Sequence, residues 1–169
     1  ANTSGASNAA FGAYALAADT TGQQNTGIGY GAAYQTTTGS KNTAVGDFSL
    51  GGNTSGAENT AVGSSALGAN TTGTYNVAVG QGAGDAITTG NYNTAIGRSA
   101  LTTLATNAAN TAVGGTALAV NTAANNTAVG FGALTANTTG TPNTAVGKSA
   151  LSANTTGTFN VAVGVDAAQ

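Results

Sequence analysis

The chain has 169 residues, with three Lys or Arg against five Asp or Glu and no His, Cys, Met or Trp. A net charge of -2 and only 5% charged residues exclude the cation density that nucleic-acid phosphates or an anionic membrane surface require. Without Cys there is no disulfide framework, and no apolar run approaches the ~20 residues of a membrane-spanning helix. Apolar residues make up 40% of the chain, mostly Ala with regularly placed Val and Leu, which argues for order over a charged disordered tract.

In chain order, the same unit returns ten times. Its opening Asn falls at Asn8, Asn25, Asn42, Asn59, Asn76, Asn93, Asn110, Asn126, Asn143 and Asn160, spaced 17 apart except for one spacing of 16. A fixed period of this kind is the signature of a solenoid. The chain thus reads as a single repeat domain over 1–169: a partial coil at 1–7, nine full coils over 8–159 and a partial coil at 160–169. Neither end carries the charge, Pro or covering helix that blunts a solenoid edge, so the ends are expected to stack on another copy or to continue in a longer chain.

Counting the opening Asn as position 1, position 5 is Gly in every unit, position 4 is Val or Ile except at Phe11, position 3 is Ala except at Gly27, and position 2 is Thr except at Ala9, Val77 and Val161. Thr and Val alternating with small residues predict a short strand over positions 1 to 5. Period 2 then separates a branched face (positions 2 and 4) from a small one (positions 3 and 5). The branched face is expected to join Leu of position 9 in the interior. The small face, with Ala44, Gly46, Ala61, Gly63, Ala78, Gly80, Ala95, Gly97, Ala112, Gly114, Ala145 and Gly147, is expected to be where another copy approaches closely.

Positions 8 and 9, typically Ala-Leu as at Ala66-Leu67, predict a second short strand, and the Asn-Thr-Thr-Gly segment at positions 12 to 15 predicts a turn. Asn107 replaces Gly at position 15 once, which suggests a left-handed residue there. The short unit, 110–125, loses a residue from this turn. Frequent Gly, Thr and Asn and the absence of a 3.6-residue apolar period exclude helices. The predicted fold is all-β: a parallel β-solenoid or β-roll with one coil per 17 residues and about nine and a half coils, roughly 45 Å long.

The run Asn-Thr-Ala-Val-Gly-x-x-Ala-Leu resembles the repeats of the YadA-like heads of trimeric autotransporter adhesins. With its Asn-Thr-Thr-Gly segment it is also similar to the arrays of tail-fibre-type proteins. The resemblance implies a left-handed β-roll, three chains side by side as a homotrimer, and a place in an extracellular, cell-surface or virion fibre.

Candidate chemistry is sparse. The carboxylates Asp19, Asp47, Glu58, Asp85 and Asp166 do not recur with the repeat, so neither an enzyme nor a cofactor or metal site is expected. The Gly80 to Gly84 run imitates a phosphate loop but lacks the strand, loop and helix context. The column at position 17 should place Lys41 beside Glu58 and Tyr75 over Tyr92; a decorated edge is the commoner use of such a column, and a grip on a glycan or cell surface the sharper one. Thr20, Thr37, Thr54, Thr71, Thr88, Thr122, Thr138 and Thr155 form a Thr ladder at position 13. An outward ladder suits an ice-binding solenoid; a structural ladder is the alternative. The leading expectation is a non-enzymatic extracellular fibre or adhesin-shaft protein that associates with itself side by side and stacks end to end, without nucleic acid or membrane insertion. Ice binding is the alternative.

Overall fold

The computed structural model describes residues 2–169 and shows a parallel β-solenoid. Each unit supplies one three-residue strand at positions 2 to 4: β1 (Ala9–Phe11), β2 (Thr26–Ile28), β3 (Thr43–Val45), β4 (Thr60–Val62), β5 (Val77–Val79), β6 (Thr94–Ile96), β7 (Thr111–Val113), β8 (Thr127–Val129), β9 (Thr144–Val146) and β10 (Val161–Val163). They form a single sheet in sequence order, and every pairing is parallel with repeat positions opposite one another, as in Thr43 to Thr60, Ala44 to Ala61 and Val45 to Val62. The short unit keeps this register, since Thr111 pairs with Thr127. Nine steps of about 4.8 Å make the sheet about 43 Å tall.

The second predicted strand is replaced by a series of turns. Leu at position 9 is left-handed, with φ of 50° at Leu67 and 57° at Leu101, and positions 7 and 17 are left-handed as well, as at Ser65 (56°) and Tyr75 (59°). Turns of this kind bend the chain back on itself within each unit. They still bond from coil to coil: the Leu67 amide donates to the Ala83 carbonyl at 3.0 Å, and the Thr71 amide to the Thr88 carbonyl at 2.8 Å. Left-handed side-chain-bearing residues cost about 1–3 kcal/mol each, and these inter-coil bonds oppose that cost.

The interior is one residue thick. Ala at position 3 is buried in every coil from Ala44 to Ala162, and it faces position 9, which is Leu in most coils, across the lumen. At Gly27, the one position-3 glycine, an added Cβ would lie 3.2 Å from Leu16 Cγ. This reverses the expected orientation of the strand. Val and Ile at position 4 point outward, because Leu from the opposite wall already fills the lumen and leaves space only for Ala.

The opening Asn closes each coil. Asn59 Nδ2 donates to the Gly73 carbonyl of its own coil at 2.8 Å, while its Oδ1 accepts the backbone N–H of Asn76 in the next coil at 3.0 Å. The second of these bonds is present at every step from Asn8 to Asn160. Because the carboxamides of positions 1 and 12 both sit beside position 15, Gly is needed there for space. A Cβ on Gly73 would lie 2.4 Å from Oδ1 of Asn70 at position 12, 2.5 Å from the Gly90 carbonyl oxygen and 3.1 Å from Nδ2 of Asn76, the opening Asn of the next coil. The left-handed conformation expected at position 15 is absent: its glycines and Asn107 are not among the positive-φ residues.

Candidate interaction surfaces

The alanines of the expected self-association face, Ala44, Ala61, Ala78, Ala95, Ala112 and Ala145, are 0% exposed and line the lumen. They cannot meet another chain. Their neighbours Gly46, Gly63, Gly80, Gly97, Gly114 and Gly147 do permit a close approach, but by the next coil of the same chain. At Gly63 (φ 129°) an added Cβ would lie 2.6 Å from the Gly80 carbonyl oxygen.

The face that does look outward carries positions 2 and 4. Position 4 makes an apolar column through all ten coils: Ile28, Val79, Ile96, Val129 and Val146 are 36–41% exposed, Val45, Val62 and Val113 are half-buried, and Phe11 and Val163 are more exposed. Half-buried Thr26, Thr43, Thr60, Thr94, Thr111, Thr127 and Thr144 form the parallel column at position 2. In-register pairing stacks both columns coil on coil, so the sheet presents one continuous stripe of Val, Ile and Thr.

The Thr ladder exists, and from Thr20 to Thr138 its hydroxyl protons are committed to the solenoid. Thr20 Oγ1 donates to the Thr37 carbonyl at 2.9 Å, Thr37 to Thr54 at 3.0 Å, Thr54 to Thr71 at 3.1 Å and Thr71 to Thr88 at 3.1 Å. Thr88 donates to Ala105, Thr122 to Thr138 and Thr138 to Thr155 in the same way. It is position 14, with Thr21, Thr38, Thr72, Thr89, Thr139 and Thr156, that is exposed.

Position 17 stacks as expected. Lys41 Nζ lies 3.6 Å from Glu58 Oε1, and the rings of Tyr75 and Tyr92 stack with centroids 4.9 Å apart and planes 5° apart. The carboxylates stand apart from one another in the repeat. Asp19 occupies position 12, buried, accepting the Gly22 amide at 3.0 Å and Asn8 Nδ2 at 2.7 Å; burial raises its pKa, with the Gly22 bond opposing. Burial also raises the pKa of Asp85, at position 10, against backbone hydrogen bonds. Among the described residues no three His, Cys, Asp or Glu side chains gather as a metal site would require.

One surface belongs to no single column of the repeat. Tyr14, Tyr30, Tyr34 and Phe48, from three successive coils, line an open groove of about 380 Å³. Tyr14 meets Tyr30 and Tyr34 edge-on, with centroids 5.5 and 6.2 Å apart, and Tyr30 meets Phe48 at 5.3 Å. The available signal was two adjacent columns, 6 and 7, carrying aromatics in consecutive coils.

Fold and surfaces together define a parallel β-solenoid repeat protein. Comparison with known proteins finds no matching family model, no matching curated protein and no matching solved structure.

Proposed function

We propose that the chain is a non-enzymatic structural segment of an extracellular, cell-surface or virion fibre, a stiff rod that associates side by side with copies of itself. The supporting observation is the outward apolar column of position 4, Phe11 followed by Val or Ile in the next nine coils. A continuous apolar stripe on a soluble protein marks an interaction surface. Three parallel copies about an axis along the rod bring three such columns together, with the Thr columns at their margins. The trimer, and the location outside the cell, follow from the resemblance of the repeat to adhesin heads. End-to-end stacking into a filament belongs to the same proposal, since all ten strands share one register.

Sedimentation equilibrium tests it. The expected mass is about three times 15.8 kDa, and Val79→Lys, which places charge in the middle of the stripe, should give a folded monomer. A wild-type monomer at high concentration, without filaments by electron microscopy, would overturn the proposal.

Ice binding is the second reading. It now rests on the outward Thr and Val stripe, because the position-13 hydroxyls donate within the solenoid. Thermal hysteresis that Val79→Lys abolishes would favour it; no hysteresis would remove it.

A further inference from the structure

The aromatic groove is organised around a missing side chain. Position 7 holds Tyr14 in one coil and Phe48 two coils on, and between them stands Gly31. A Cβ on Gly31 would lie 2.8 Å from Phe48 Cε1, so the ring leans over the space a side chain would fill. Tyr30 and Tyr34 rise from the same coil as Gly31 on either side of it. Interplanar angles of 82°, 82° and 76° make the walls alternate between ring face and ring edge, and all four rings are exposed.

We propose that this groove is a carbohydrate-binding subsite that receives a neutral pyranose by its apolar face. A sugar ring has one flat C–H surface suited to an aromatic face and a rim of hydroxyls suited to the polar tips of Tyr. The volume of about 380 Å³ lies in the range of small-ligand sites. No cation lines the groove, and exposed Asp47 precedes Phe48, so an anionic ligand finds no counter-charge. A second copy of the rod fits the groove poorly. At the same position in later coils stand Ser65, Gly82, Ser99 and Ser149, so the aromatic surface does not continue along the rod as the Val column does.

Saturation-transfer NMR with cellopentaose and maltopentaose, neutral glucose oligomers of opposite linkage, tests this. Irradiating the aromatic protons should saturate sugar C–H protons of at least one oligomer. Gly31→Ser should remove the signal without unfolding the coil, because Ser65, Ser99 and Ser149 hold φ of 55–56° at the same position. Tyr14→Ala should weaken binding at least tenfold, whereas Phe131→Ala, an exposed ring outside the groove, should leave it unchanged. If Gly31→Ser unfolds, Tyr14→Ala decides. No transfer to either oligomer, a signal that survives Tyr14→Ala, or one removed by Phe131→Ala would overturn the proposal. So would a fall in oligomer mass on Tyr14→Ala, which would make the groove an assembly contact.

Discussion

The two coils over 42–75 and the three over 76–125 make the same ten-stranded sheet from different interiors. In the first region Leu50 and Leu67 fill the lumen, and Asn53 and Asn70 form a second buried carboxamide ladder, with Asn70 Nδ2 donating to Asn53 Oδ1 at 2.9 Å. In the second, Gly84 replaces that Leu, Ile87 and Leu104 replace the second Asn, Asn107 replaces Gly, and one residue is missing. The exchanges compensate one another. An added Cβ at Gly84 would lie 3.0 Å from Ile87 Cδ1, so the side chain deleted from position 9 is supplied from position 12. The boundary leaves a mark, since Asn70 Oδ1 is buried without a donor where the next coil offers Ile87. Through all of this the opening Asn persists: the Asn93 and Asn110 amides still donate to the preceding carboxamides at 2.9 and 3.0 Å. Position 12 is exchangeable filling; position 1 is what closes the coil.

The largest effect should come from breaking position 1 where everything else is regular. Asn59→Leu strands the buried Asn76 amide and leaves the Gly73 carbonyl with only the longer bond, 3.2 Å, from Asn70 Nδ2. At about 1–3 kcal/mol for each buried group left unpaired, the expected loss is roughly 3 kcal/mol, read as a lower urea midpoint. Asn70→Leu, which repeats the natural exchange at position 12, removes the orphaned Oδ1 but passes the orphan to Asn53 Oδ1, whose donor is Asn70 Nδ2, and should cost about 1 kcal/mol for the hydrogen bond lost. Equal losses would erase the distinction between the two ladders.

Next comes the compensation itself. Ile87→Asn alone should cost about 2 kcal/mol by emptying the space beside Gly84, and Gly84→Leu alone about 1–3 kcal/mol by crowding Ile87. Together they rebuild the regular coil, and Leu accepts φ near the 58° of Gly84, as Leu101 does at 57°. The double variant should therefore be more stable than the sum of its parts by about 2 kcal/mol. Additive losses would show that the two positions do not share the lumen.

These contrasts also show what was legible in the sequence. The period, a short strand within positions 1 to 5 and the pairs Lys41–Glu58 and Tyr75–Tyr92 could be read because stacking turns the repeat period into adjacency. The facing of the strand could not. A three-residue strand alternates identically whichever side is inward, and the choice is made by Leu of position 9, which reaches the lumen only from a left-handed backbone that no propensity suggests. The association face was therefore placed on Ala44 and its equivalents when the exposed side carries Val and Ile. The groove lay off-column: Tyr30 follows Tyr14 by one less than the repeat period and Phe48 follows Tyr30 by one more, so no single position of the repeat contains it.

The smallest effect concerns the first coil, where position 12 is Asp19 in place of Asn. Its carboxylate is buried, accepting from Asn8 Nδ2 and the Gly22 amide, and burial holds its pKa above the ordinary 3.8 despite the Gly22 bond. The folded state then binds this proton more tightly than the unfolded state does, so the contribution of Asp19 falls as pH rises from 3.8 through the raised folded value and stays low above it. Asp19→Asn installs the carboxamide that Asn53, Asn70 and Asn137 carry at the same position and removes the ionisation. Thermal unfolding should find the variant more stable than wild type at neutral pH, with the difference shrinking toward zero below pH 3.8. A difference that stays constant with pH would mean that burial of the charge is not what separates Asp19 from the asparagines above it.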